Sequence, residues 1–237
     1  MSGWSAKKFW KEAKAEAVEG GYAILLDGRM VRTPAKSPLI IPSRALAQAV
    51  TQEWEAQSDE VKPATMPLTR AANSAIDKVG PQRADVVAML AEYGGTDLIC
   101  YRAESPVALA ARQAAAWDEL LDWAEEVFAA RLQPVVGVMF KSQDVTALSR
   151  LLGAVDAHDD FELTALHDLI ALTGSLVLGL AVSSGRLSAE EAWPLSRIDE
   201  TWQEEQWGVD EEAAEMASHK RADFDAAARL LALVREA

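Results

Sequence analysis

The feature that most constrains this chain is the run from Leu169 to Val182, 14 residues without a charge. A membrane-crossing helix needs about 20 apolar residues, so the run is too short to span a bilayer. Being apolar all round, it also leaves no face for water, and such a helix must be enclosed by other elements. His167 and Asp168 bound it on one side and Ser183-Ser184-Gly185 on the other. It is expected to form the central post of a helical bundle, covered by the rest of the chain.

The covering helices are readable from caps and spacing. Ser43 can N-cap a helix that carries Leu46, Val50 and Trp54 at four-residue intervals. Pro81 is expected as the first residue of a helix closed by Gly94-Gly95. Ser105-Pro106 opens a long helix through Trp117, Leu121 and Phe128, and Ser142 is expected to cap a shorter one containing Leu148, Leu151 and Leu152. Ser188-Ala189-Glu190-Glu191 fits a capping box for a helix that Gly208 stops. Asp210 begins a last amphipathic helix through Met216, Phe224, Leu230 and Leu233.

The first 45 residues have a different texture. Tyr22–Leu26 and Arg29–Thr33 flank Asp27-Gly28, and this pair supplies the positive φ that a two-residue hairpin turn needs. Pro34, Pro38 and Pro42 punctuate an extended stretch ending at Ile40-Ile41. The expected fold class is therefore α+β: a small N-terminal antiparallel β domain followed by a larger all-α helical domain. Its expected bounds are 1–45 for the β-rich domain, 46–65 for a linking helix and loop, and 66–237 for the helical domain.

Charge and cysteine usage narrow the function. The 23 Lys+Arg against 37 Asp+Glu leave a net charge of −14, a field that repels phosphate backbones and anionic lipid. No nucleic acid and no membrane insertion are expected. The single cysteine, Cys100, excludes an internal disulfide and lies in the apolar run Leu98-Ile99-Cys100-Tyr101, where a buried structural thiol is expected. Met1 to Ala17 carries Lys7, Lys8, Lys11 and Lys14 without an apolar segment, and also Glu12 and Glu16, which a transit peptide avoids. A cytoplasmic, monomeric protein is expected.

Catalytic signatures are absent from the sequence. Asp156-Ala157-His158-Asp159-Asp160 reads either as oxygen ligands for a divalent cation or as a polar loop that caps the next helix. Gly174 and Gly179 have the spacing of half a phosphate-binding loop but lack the Lys-Ser/Thr that completes one, and fit close helix packing instead. No catalytic residue, cofactor, metal or nucleotide is expected. Two features stand out. Of eight tryptophans, Trp54, Trp193, Trp202 and Trp207 have strongly polar neighbours and read as core anchors or as partner contacts. Trp54 is assigned a structural role. Between Asp199 and Asp225, ten carboxylates face only Lys220 and Arg221, which makes either a solvated face or a docking face for a basic patch. Asp199, Glu200, Glu204 and Trp207 are the candidate partner-binding residues, with Glu200, Glu204 and Trp207 recurring at four and three residues along one helix.

Several stretches carry a family resemblance. Gly20 to Arg29 (Gly-Gly-Tyr-Ala-Ile-Leu-Leu-Asp-Gly-Arg), Thr33-Pro34, Glu53-Trp54-Glu55-Ala56-Gln57 and Met66-Pro67-Leu68-Thr69 occur in order. Thr96 to Arg102, Trp117-Asp118, Phe161 to Leu166, Ser175 to Leu178, Glu190-Glu191-Ala192 and Gln206-Trp207-Gly208 follow. Together they resemble the chaperone family that assembles the catalytic head of F-type ATP synthase in mitochondria and alphaproteobacteria. The block after Gly208 departs from the family's pattern, with His219-Lys220 where a His-Asp pair is common. The resemblance implies a β-rich N-terminal domain, a helical C-terminal domain, no catalytic activity and no cofactor. It also implies that the partner is the unassembled alpha subunit, held until it meets the beta subunit. The alternatives from the residues alone are a metal-assisted enzyme using Asp156, His158 and Asp160, or a generic protein-binding scaffold.

Overall fold

The computed structural model describes residues 7–236. These form two compact units. The first runs to Arg83 and takes in Asp160–Ala165 and the chain end from Arg229, and the second comprises Ala84–Asp159 and Leu166–Ala228. A small antiparallel sheet lies at the N-terminus and a mostly helical region follows, the α+β arrangement expected from the sequence.

In the first unit, β1 (Ala13–Val18), β2 (Gly21–Leu26), β3 (Arg29–Met30) and β4 (Ile40–Ile41) make a sheet in which β2 pairs antiparallel with each of the others. The hairpin turn falls at Asp27-Gly28, both with positive φ (47° and 78°), so Leu26 stands opposite Arg29. The Asp27 carboxylate is also used, accepting the Lys11 and Glu12 N–H groups at 3.0–3.1 Å. At Gly21 a Cβ would stand 2.3 Å from the Ile41 carbonyl oxygen, so only glycine lets β4 come alongside.

The helix α1 (Arg44–Glu55) begins as expected at Ser43, whose hydroxyl accepts the Leu46 N–H at 3.1 Å. It buries Leu46, Ala47, Ala49 and Val50. Trp54 lies in a satellite cluster with Trp10, Ala13, Leu26, Val31 and Val61. Its ring meets Trp10 edge to face at 5.3 Å, a geometry that adds about 1 kcal/mol to the burial itself. The Lys8 ammonium closes the end of α1 by donating to the Glu55 and Gln57 carbonyls at 3.2 and 2.7 Å.

Next, α2 (Pro67–Ser74) is capped from outside by Glu53, whose carboxylate accepts the Leu68 and Thr69 N–H groups, both at 2.8 Å. The chain then stays helical through a wide turn at Ala75–Val79 and a tight one at Gly80–Gln82 into α3 (Arg83–Glu92). Pro81 is thus not the start of a helix. The change of hydrogen-bond pitch around it accommodates its missing N–H without ending the helical path.

The second unit contains α4 (Val107–Phe128), α5 (Val145–Asp156), most of α6 (Asp160–Thr173), α7 (Leu176–Ser183), α8 (Ala189–Leu195), α9 (Ile198–Trp207) and most of α10 (Glu211–Arg235). The central post is not one helix. Gly174 takes φ +69° and ends α6, and Ser175 caps α7 by accepting the Leu178 N–H at 3.0 Å. All eight residues of α7 are buried, each large side chain contributing about 1.5–3 kcal/mol over exposure. A Cβ on Gly179 would lie 2.4 Å from Ile170 Cγ1, so this glycine sets how closely α6 and α7 approach. Gly174, by contrast, serves the turn and not the packing.

Two further boundaries differ from expectation. Asp144, not Ser142, caps α5, accepting the Ala147 N–H at 2.8 Å. The helix expected from Ser188 to Gly208 is two. Its capping box is present, with Ser188 and Glu191 satisfying each other's N–H groups. The chain then breaks at Ser196-Arg197, because Ser196 Oγ donates to the Trp193 carbonyl at 2.8 Å and the Arg197 N–H turns tightly back to Pro194. Asp210 starts α10 as expected, accepting from the Glu212 and Ala213 N–H groups. Among the described residues, no helix is long and apolar enough to cross a membrane.

One fully buried carboxylate organises the second unit. Asp97 Oδ2 accepts the Val177 N–H at 3.0 Å and Oδ1 the Ile99 N–H at 3.2 Å, and the Ser175 hydroxyl bonds to it as well. Burial pushes its pKa from 3.8 up to about 6, opposed by these hydrogen bonds. The same burial, with Asp97 adding its charge, pushes the Cys100 thiol up and keeps it protonated and inert.

The buried sites of Asp97 and Trp54 each give a measurable expectation. Because Asp97 binds its proton more tightly folded than unfolded, its contribution is complete below about pH 4 and is lost as pH rises through 6. A rise from 3.8 to about 6 corresponds to about 3 kcal/mol. Asp97→Asn has no such titration, so between pH 4 and pH 7 the stability gap between wild type and variant should move by about 2–3 kcal/mol in the variant's favour. Urea unfolding at the two pH values checks this, and a constant gap contradicts it. For Trp54, arginine would remove the indole from Trp10 and set a cation among Ala13, Leu26 and Val31. Trp54→Arg should cost several kcal/mol and yield insoluble or degraded protein. A soluble variant with unchanged melting temperature contradicts the structural role.

Candidate partner-binding surface

The candidate residues lie on α9, and their placement follows from its pitch of about 100° per residue. Asp199, Trp202, Gln203 and Trp207 fall on one arc and line a groove of about 520 Å³. Glu200 and Glu204 fall on the adjoining arc, where both face Arg197, at 3.1 and 3.9 Å. Trp207 stands where the two arcs meet and is 79% exposed. The structure thus brings Asp199 and Trp207 into one cavity and sets Glu200 and Glu204 beside it.

The acidic helix is held by a few cations. Arg112 forks onto the Glu205 carboxylate at 2.8 and 2.9 Å and lies over the Trp202 ring at 4.9 Å. The paired guanidinium keeps the Glu205 carboxyl below its ordinary range. Asp199 accepts from Gln113 Nε2 at 2.6 Å, and the other end of that amide accepts the Ala103 N–H at 2.8 Å. Gln113 is buried, so this relay fixes α9 against α4 and the groove wall.

That wall is built from short strands that lie outside the sequence expectations. A two-residue strand, β5 (Tyr101–Arg102), pairs in parallel with β6 (Val135–Val136), and the Gly137 N–H continues the ladder to the Arg102 carbonyl at 2.8 Å. Arg102 is buried beneath the groove, donating to the Ile99 carbonyl, paired with Asp118 at 2.9 Å and stacked on Trp117 at 5.2 Å. Beyond β6 the chain forms a surface loop whose base is closed by Gln143. Its side-chain amide bonds both the N–H and the carbonyl of Gln133, at 2.7 and 3.0 Å. At the tip, Val138, Met139 and Phe140 are 91, 78 and 68% exposed. Gly137 is favoured there by its φ of +85°, which L side chains rarely adopt. A run of apolar residues without helical spacing, Val135 to Phe140, was the available signal.

The other sequence candidates lie elsewhere. Trp193 packs on Phe224 at 5.5 Å within the core. The His158 ring is tied to the Ala154 and Val155 carbonyls and to Ser183, and Asp160 pairs with Arg83 at 3.0 Å. Among the described residues, no group of three or more His, Cys, Asp or Glu is placed to hold a metal ion.

The small antiparallel sheet followed by a mostly helical region is the fold of solved assembly chaperones. The ATP12 chaperone protein family matches residues 7–125. The protein atp12, mitochondrial, of Schizosaccharomyces pombe is 23% identical in an alignment of 224 residues that covers 90% of this chain and 77% of that protein. The crystal structure of Atp12 from Paracoccus denitrificans matches with a TM-score of 0.94 at 50% identity, covering 97% of this chain and 99% of the other. An aspartate-to-lysine mutant of the Paracoccus protein matches at 0.95 and 49% identity, covering 97% and 98%. The chain belongs to the ATP12 chaperone family, the ATP synthase assembly chaperones that its sequence resembles.

The Gln113 relay is testable. Gln113→Leu leaves the Ala103 N–H and the Asp199 carboxylate without their partner, at a cost of about 1–3 kcal/mol. Gln113→Glu sets a second carboxylate against Asp199 and should cost more at neutral pH. Chemical denaturation of both variants checks this order, and the reverse order contradicts it.

Proposed function

We propose that this protein holds the unassembled alpha subunit of F-type ATP synthase in the cytoplasm until the beta subunit displaces it. It acts as a monomer, without a catalytic step and without nucleotide. The observation that carries the reading is Trp207, 79% exposed at the edge of a groove that Asp199 lines, with Glu200 and Glu204 alongside. The second unit holds nine Lys+Arg against 25 Asp+Glu, a net −16, so the protein's net negative charge resides in the unit that carries this surface. A field of that strength steers a basic client and discriminates against acidic ones.

The physical logic needs no energy source. An alpha subunit awaiting its neighbours exposes an interface of the obligate kind, on the order of 2,000 Å² or more, and is prone to aggregate through it. A binder that covers part of that patch stabilises the soluble form by mass action, and the proper subunit removes it by competition.

Charge reversal at Glu200→Lys/Glu204→Lys should weaken capture of the alpha subunit in a pull-down. It also opposes Arg197, but exposed pairs contribute only about 0–1 kcal/mol, so circular dichroism and melting should stay close to wild type. Capture should slow as salt rises, because steering between exposed charges is screened beyond about 8–10 Å. A folded double mutant that captures the alpha subunit as wild type does would remove these residues from the interface.

A further inference from the structure

We propose that the groove between the 134–140 loop and α9 seats an apolar segment of the client that carries a lysine or arginine. The proposal rests on the client-holding reading above and adds the chemistry of the segment recognised. The Val138, Met139 and Phe140 side chains stand in solvent although the loop beneath them is fixed at three points: the β5–β6 ladder, the Gly137–Arg102 bond and the Gln143–Gln133 clasp. A loop held this firmly does not leave its apolar tip exposed for lack of order, and contiguous exposed apolar surface of this kind marks an interaction site. Of the three side chains, Val138 lines the groove, with Met139 and Phe140 following it at the tip, and Pro106, Leu109, Trp202 and Trp207 supply the rest of the apolar lining.

The polar lining selects the charge of the guest. Asp199 and Glu104 both line the groove, and Gln113 occupies only one oxygen of Asp199. Arg102 is the one cation among the lining residues, and it is already engaged by Asp118 beneath. A guest carboxylate would therefore meet two carboxylates, whereas an ammonium or guanidinium would meet two acceptors. Apolar walls with an acidic pair fit a segment whose large apolar residues are interrupted by a basic one, the anchor-and-rim pattern of a protein interface.

The test uses two blocked hexapeptides, Leu-Phe-Lys-Leu-Val-Lys and its twin with glutamate in place of lysine, titrated calorimetrically into the intact protein. The lysine peptide should bind at least about tenfold more tightly than its twin. Val138→Asp should lose about tenfold or more for the lysine peptide, and Asp199→Asn, which keeps an acceptor for Gln113, should narrow the preference. Both variants must retain the wild-type dichroism spectrum. Equal binding of the twins, no binding of either, or wild-type binding by the loop variant overturns the proposal. A dimer in sedimentation that the loop variant dissociates would also overturn it, by assigning the loop to a second copy of the chain. The alpha subunit itself separates the two readings. Full capture by the loop variant sinks the groove and leaves the client assignment standing, whereas peptide binding without any alpha-subunit capture by wild type does the reverse.

Discussion

The second unit depends on one carboxylate placed where water cannot reach it. Asp97 takes the N–H groups at the start of α7, where a helix has donors without partners and a positive dipole end. Ser175 bonds to Asp97 while capping the Leu178 N–H, and the Leu98 N–H returns to the Gly174 carbonyl, so the break in the apolar post is fully hydrogen-bonded. Without these bonds the turn at Gly174 would leave polar backbone among leucines. With them, α7 can be buried on all sides, and the chain following Asp97 is led directly into β5, on which the groove is built.

Local chemistry is what the sequence carried. The Asp27-Gly28 turn, the Ser43 cap, the Ser188 capping box and the Asp210 start are signals that act within four residues, and each appears in the structure where its residues stand. The misplacements share a cause as well. Pro81, Ser142 and the unbroken Ser188–Gly208 helix are expectations from local signals alone, and a change of helical pitch, a competing cap and a side-chain bond within the helix decide otherwise. The apolar run Leu169–Val182 predicts the burial of α7 but neither the exposure of Ala171 nor the break. Its composition is the same for one helix or two, and only the φ of Gly174 divides them.

For the surface, the acidic helix and Trp207 were legible and the groove was not. Negative charge and tryptophan are properties of composition, so they survive without a fold. The groove exists because residues 101 and 102 pair with 135 and 136, and because Gln113 reaches both Ala103 and Asp199, contacts between positions 10 to 86 residues apart. Two-residue strands have no periodicity to detect. The same holds for the segregation of charge, since it depends on which residues fold into which unit.

A chaperone that must let go cannot simply maximise its contact area. Arg197 and Arg112 neutralise part of the acidic helix, which limits self-repulsion and, in the proposed role, would limit the strength with which a basic client is held. Rigid anchoring of the loop acts in the opposite direction, since a tip already ordered loses little conformational entropy when a client covers it. In the proposed client-holding role this combination would give fast, salt-sensitive approach and modest residence, because a few exposed side chains would provide the grip. An assembling subunit that buries a far larger area outcompetes such a surface by mass action alone. On that proposal release would need no conformational device in the holder, whose groove wall and acidic helix are tied to the body of the unit through the β5–β6 pairing and Gln113.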